Sequence, residues 1–160
     1  MRGLGFVLHG LWPQYEGGGY PQDCASDEPL TPQALQLGQT LMPTASLARH
    51  EWERHGRCTG LDSSGYFHLA DRALAAVQVP ASLVAPNTAL LLPATQIAAA
   101  FRAANPRLPP DGLAVDCHGG EISDVRFCLT RDLKPRACGR GVQGHCPAGV
   151  VRVPAVAPRH

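Results

Sequence analysis

Hydrophobic and polar positions change period several times along the chain, and each change marks an element. An apolar run over 4–9 reads as a strand, and a glycine-rich loop follows at 17–20. Thr31-Pro32 opens a helix toward Met42, with Thr as N-cap and Pro at the first position, where its missing N–H costs nothing. A second helix over 46–55 stops at Gly56. A third spans 64–78, with Phe67, Ala70, Leu74 and Val77 spaced for one buried face and Pro80 marking its end. A helix at 94–104 precedes the proline-rich loop Pro106 to Gly112. Strands are predicted at 113–117, 121–129 and 149–153, and Pro154 to His160 reads as a flexible tail. This order predicts an α+β fold in which helices pack on one side of an antiparallel sheet. There is no internal repeat, no linker dividing domains and no 18-residue apolar run of membrane-spanning type, so residues 1–160 read as a single domain.

Composition narrows the picture. With 160 residues, 44% hydrophobic and 17% charged, the chain is long enough for one domain with a buried core. A net charge of +1 excludes a protein that coats nucleic acid through a broad basic stripe. Below about pH 6 the histidines add positive charge, which strengthens capture of a polyanion in an acidic compartment. Cys24, Cys58, Cys117, Cys128, Cys138 and Cys146 form an even set with no CxxC pair, which favours disulfides in an oxidising compartment over a zinc ribbon. Sequence alone leaves all of about 15 pairings open.

Candidate chemistry concentrates in His9-Gly10-Leu11-Trp12-Pro13 and in the run His50 to Cys58. On a helix at about 100° per residue, positions 50, 51, 54 and 55 fall at roughly 0°, 100°, 40° and 140°, so they share one face, while Trp52 and Glu53 point elsewhere. That face carries two imidazoles, a carboxylate and a guanidinium. An imidazole titrates near neutrality, so one copy can accept a proton while another donates one. A guanidinium fork suits the negative charge that builds on phosphate oxygens. The implied substrate is a phosphodiester, and in RNA the neighbouring 2′-hydroxyl supplies the nucleophile without a metal ion.

Phe6 to Pro13 and His50 to Cys58 resemble the two active-site signatures of the ribonuclease T2 family, secreted endoribonucleases that leave 2′,3′-cyclic phosphates. The likeness continues to about Cys146. The resemblance implies a disulfide-stapled α+β fold of that type, with Cys24 bonded to Cys58, Cys117 to Cys146 and Cys128 to Cys138. It makes His55 the general base toward the 2′-hydroxyl and His9 the general acid on the leaving oxygen. His50 is implied to hold the phosphate, with Glu51 and Arg54 supporting the pentacoordinate species. Trp12 and Tyr20 resemble the family's base-stacking aromatics, and Gln14 stands where several members use aspartate to read the base. The implied partner is single-stranded RNA, with no DNA, membrane, metal or cofactor, and the protein is expected to be a secreted or periplasmic monomer.

The chain departs from the family pattern in three places. Arg54 stands where lysine is usual, so the charge is kept but a fork replaces a point charge. Arg57 replaces a small hydroxyl residue, adding a cation that either contacts phosphate or is solvated. The first signature begins within six residues of Met1, with no cationic start and apolar core over residues 1–25, so no signal peptide is visible and an upstream strand is expected to be missing.

Blander assignments compete for several residues. Glu51 with Arg54 or His55 is in isolation an ordinary helix-surface ion pair, Trp12 could fill core, and Tyr20 beside Pro21 could be loop packing. His68, His118, His145 and His160 fit no pattern and read as surface residues; Asp116 and Glu121 read as solvated or turn-forming. Two other functions are a zinc hydrolase using His50, Glu51 and His55, whose histidines are five apart instead of the zinc-helix spacing of four, and an inactive disulfide-rich binding protein of the same fold.

Overall fold

A computed structural model describes residues 5–157. These residues form two compact units, one helical (Val7–Ala76) and one built on a sheet (Gly5 and Phe6 with residues 77–157).

An irregular segment leads into the helical unit. Residues 5–9, predicted as part of a strand, take no strand conformation because no described segment offers them a ladder partner; residue 4 lies outside the described residues. Helix α1 spans Pro32–Leu41, with the Thr31 hydroxyl accepting the Ala34 N–H. Helix α2 spans Ala45–Arg54, with Thr44 capping Leu47 N–H in the same way. Both caps satisfy amide groups that the first helical turn leaves without partners. Helix α3 spans Ser63–Ala75 behind an Asp62 cap. Its buried face is Tyr66, Phe67, Ala70 and Ala73, whereas Leu74, predicted to be inside, is 39% exposed. The helix ends before Val77, so the stripe that packs is the one through Tyr66 and Ala73. The core joins Ala34, Met42, Ala48, Trp52, Tyr66 and Phe67.

The sheet unit carries a short helix α4 (Ala81–Val84), strand β1 (Leu90–Pro93), helix α5 (Ala94–Ala104), β2 (Leu113–His118), β3 (Glu121–Phe127) and β4 (Val150–Val153). Neither α4 nor β1 was expected from the pattern. The sheet order is β1-β4-β3-β2, antiparallel at β1/β4 and β2/β3, with one parallel contact of β3 and β4 at Glu121 and Arg152. Ile97 and Phe101 of α5 are buried with Val115, Val151 and Val153 of the strands and Leu83 of α4. Pro154 to Ala157 do not fray as expected: Ala155 is 8% exposed, and Val156 N–H donates to Pro86 carbonyl; residues 158–160 lie outside the described residues. Asp116 and Glu121 are not merely solvated, since Arg126 pairs with Asp116 and Arg152 with Glu121. His68, His118 and His145 are exposed, as expected, and His160 lies outside the described residues.

The disulfides pair Cys24 with Cys58, Cys117 with Cys146 and Cys128 with Cys138. The first lies in the helical unit and the other two in the sheet unit. No helix among the described residues is long and apolar enough to cross a membrane.

Candidate active site

All the predicted site residues belong to the helical unit and come from α2, from the turn that ends it, and from the loop that follows His9. Helix α2 turns Ala48, Glu51 and Trp52 inward, leaves His50 exposed and Arg54 half-buried, and ends at His55, whose N–H still donates to Glu51 carbonyl. Gly56 follows because the chain drops onto the core there: a Cβ would collide with the Trp52 and Tyr66 rings. The four residues expected on one face differ in burial, Glu51 turning inward beside Trp52 while His50 faces solvent. Glu51 and His55 are 4% and 6% exposed, so their contact is no surface ion pair.

The loop from His9 is fastened to this helix at several points. Tyr66, fully buried on α3, donates its hydroxyl proton to Leu11 carbonyl (2.8 Å) and accepts the Leu11 N–H (3.4 Å). Further along, Asp23 N–H donates to Arg54 carbonyl (2.8 Å), and the Cys24–Cys58 bond closes the loop against the end of α2. Tyr66 and Asp23 are not among the site residues the sequence points to; Tyr66 lies within the span up to about Cys146 over which the family likeness continues, and the one signal for Asp23 is its place beside Cys24.

At the centre, Trp12 Nε1–H donates to Glu51 Oε2 at 2.6 Å, and the same oxygen lies 4.0 Å from His55 Nε2. The Trp12 ring stands 5.3 Å from the imidazole between centroids, tilted by 33°. Tyr20, 46% exposed, stands 6.1 Å from it on a 45° tilt. Two aromatic rings thus flank His55. Gln14 and His9 are exposed, and Arg57 is half-buried with its Nε screened from solvent instead of freely solvated.

Burial is the main force on both titrating groups. It raises the Glu51 carboxyl above the ordinary range, against the opposing Trp12 hydrogen bond and the positive charges of His50, His9 and Arg54. It pushes His55 down to about 4, assisted by the charges of Arg54 and His50 and opposed by Asp23. His55 is therefore a neutral imidazole across most of the working pH range, in its proton-accepting form. Tyr66 is shifted upward, mainly by burial and next by the Glu51 charge, so it remains a hydroxyl. Among the described residues no group of three or more His, Cys, Asp or Glu side chains is arranged to hold a metal ion. Chemically the site offers a buried base beside a buried carboxyl, with a guanidinium and two exposed imidazoles acting on the same carboxyl.

A family model described as the ribonuclease T2 family matches residues 3–138. A ribonuclease of Aeromonas hydrophila is 52% identical over 69 residues, covering 43% of this chain and 31% of that protein. Ribonuclease 1 of Arabidopsis thaliana is 34% identical over 79 residues, covering 41% and 34%. The matched part thus spans about a third of the length of these curated relatives. Among solved structures, trichomaglin, an S-like ribonuclease, superposes with a TM-score of 0.71 at 23% identity, over 95% of this chain and 82% of its own. RNase NT in complex with 5′-AMP gives 0.72 at 21% identity, over 96% and 85%. At such identities the structural likenesses speak for the α+β fold, while the match over residues 3–138 decides descent. The chain belongs to the ribonuclease T2 family.

Proposed function

We propose that the protein is an endoribonuclease that cleaves single-stranded RNA without a metal ion. Neutral His55 takes the proton of the 2′-hydroxyl, and the freed oxygen attacks the adjacent phosphorus. As the bond from phosphorus to the 5′ oxygen breaks, protonated His9 gives that oxygen a proton. The products are a 2′,3′-cyclic phosphate and a 5′-hydroxyl end, with one proton accepted and one donated. Intramolecular attack draws on the high effective molarity of a neighbouring group. His50 and Arg54 bear on the phosphate and offset charge on its equatorial oxygens, while Glu51 faces the imidazolium that forms on His55. Trp12, Tyr20 and Gln14 take the base, stacking on such rings being worth about 1–3 kcal/mol.

The observation that carries this proposal is the pairing of a base and a carboxyl, 4.0 Å apart and both nearly buried, with two aromatic rings beside the base. RNase NT, which shares the fold, was solved with 5′-AMP, in support of a nucleotide pocket here. Three disulfides support export to a secreted or periplasmic location; action there as a monomer, with no membrane or DNA partner, is part of the same proposal.

The deciding experiment incubates the protein with a defined single-stranded RNA and with DNA of the same sequence, in excess EDTA. Expected are cyclic-phosphate ends from RNA alone, with His9→Ala and His55→Ala each lowering kcat by about 10²–10⁴-fold. Loss of cleavage on chelation would favour the zinc alternative. Absence of cleavage under every condition would favour the binding protein.

A further inference from the structure

The nitrogen edge of Trp12 does something that base stacking does not require. Stacking uses the face of an indole and leaves its N–H free to point at solvent, yet here the N–H is spent on a nearly buried carboxylate oxygen at 2.6 Å. That oxygen, Oε2, is also the one nearest His55 Nε2. Gly10 completes the arrangement. A Cβ at position 10 would strike both Glu51 Oε2 and Trp12 Nε1, so the bond exists only because residue 10 has no side chain.

We propose that Trp12 is a positioning residue for the acid/base pair: its indole N–H, lodged in a slot that glycine at position 10 leaves open, holds Glu51 Oε2 ionised and aimed at His55 Nε2. The inference rests on the endoribonuclease mechanism above and assigns Trp12 a role separate from any contact with a base. When His55 accepts the 2′ proton it becomes a cation in a buried place, and an anion already seated 4.0 Å away compensates that charge without reorganisation. Without the indole donor, a carboxyl that is 4% exposed would keep its proton to higher pH and face the imidazolium as a neutral acid. The charged and titratable groups bearing on Glu51 are His9 from the loop, His50 and Arg54 from α2, and Tyr66 from α3. Asp23 bears on His55 from the far end of the loop. None of these is altered by a change confined to the indole nitrogen.

The test replaces Trp12 by 3-benzothienylalanine, which keeps the bicyclic ring and exchanges N–H for sulfur, with Trp12→Phe as the genetically encoded companion. Two quantities are read. The Glu51 carboxyl is followed by ¹³C NMR in the free protein, and kcat and KM are followed against pH on a dinucleoside phosphate and on a longer RNA. Expected in both variants are an upward-shifted Glu51 titration, a tenfold or greater fall in kcat with KM changed less than threefold for the thia isostere, and an acid limb moved to higher pH. An unchanged Glu51 titration, or a loss confined to KM, would overturn the proposal. If the wild-type protein cleaves no RNA, the endoribonuclease reading fails, while the Glu51 titration still decides whether the slot works as described.

Discussion

Replacing His55 by glutamine removes a titrating group that the fold holds far from its ordinary behaviour, and the consequence is visible without any substrate. Burial foremost, then the charges of Arg54 and His50, lowers this imidazole from 6.5 to about 4. In the unfolded chain the same side chain is free of those neighbours and titrates near 6.5. Between these limits the unfolded state binds a proton at residue 55 that the folded state refuses. Stability from this group is therefore complete above about pH 6.5 and drains away as the pH falls toward 4. At about 1.4 kcal/mol per pH unit, a separation of about 2.5 units amounts to roughly 3 kcal/mol. Glu51 works in the opposite sense. Its raised carboxyl lets the folded state bind a proton at a pH where the unfolded state has lost it, so its contribution weakens as pH rises through that interval. Subtracting one protein from the other separates the two. Urea unfolding of wild type and His55→Gln at intervals from pH 7 to pH 4 should give curves that converge by about 3 kcal/mol toward acid, as wild type loses the His55 contribution and the variant does not. NMR of the imidazole should show its midpoint near 4. Parallel curves, together with a midpoint near 6.5, would refute the idea that burial keeps His55 in its basic form.

Two further predictions concern the scaffold. Tyr66→Phe removes a fully buried hydroxyl that serves Leu11 carbonyl, so it should cost about 1–3 kcal/mol in a denaturant titration and lower kcat by loosening the segment that carries Trp12; unchanged stability would mean the bond is dispensable. Converting Cys24 and Cys58 to serine reopens a loop of 34 residues, worth about 4 kcal/mol by loop closure. Because Tyr20, four residues before Cys24, stands beside His55 on the segment that the disulfide fastens to the end of α2, KM should rise more than kcat falls, and equal effects on both would separate the disulfide from the aromatic wall.

Much of the helical unit was legible because its signals are local. Thr31-Pro32 caps its helix through a hydroxyl-to-amide bond spanning three residues, and Gly56 ends α2 where any side chain would strike a ring. The expectation of one face for His50, Glu51, Arg54 and His55 follows from helical angle alone. The Leu74 error arose because spacing names a stripe without saying which of two adjacent stripes finds a partner. Strand β1 was missed since its four residues acquire strand geometry only by pairing with β4, some sixty residues later. The expected strand at 4–9 failed for the converse reason, a strand-like composition with no ladder to join over residues 5–9.

By itself the sequence determined where the four longer helices lie, the kinds of chemistry available, the family and, through that family, the cysteine partners observed. Tertiary structure decided how that chemistry is tuned. Spacing along α2 cannot reveal that Glu51 is nearly buried, that an indole thirty-nine residues away donates to its Oε2, or that His55 is driven to its neutral form. These depend on the dielectric surroundings and on distances between segments remote in the chain, which exist only once Gly10 has let the loop close upon the helix.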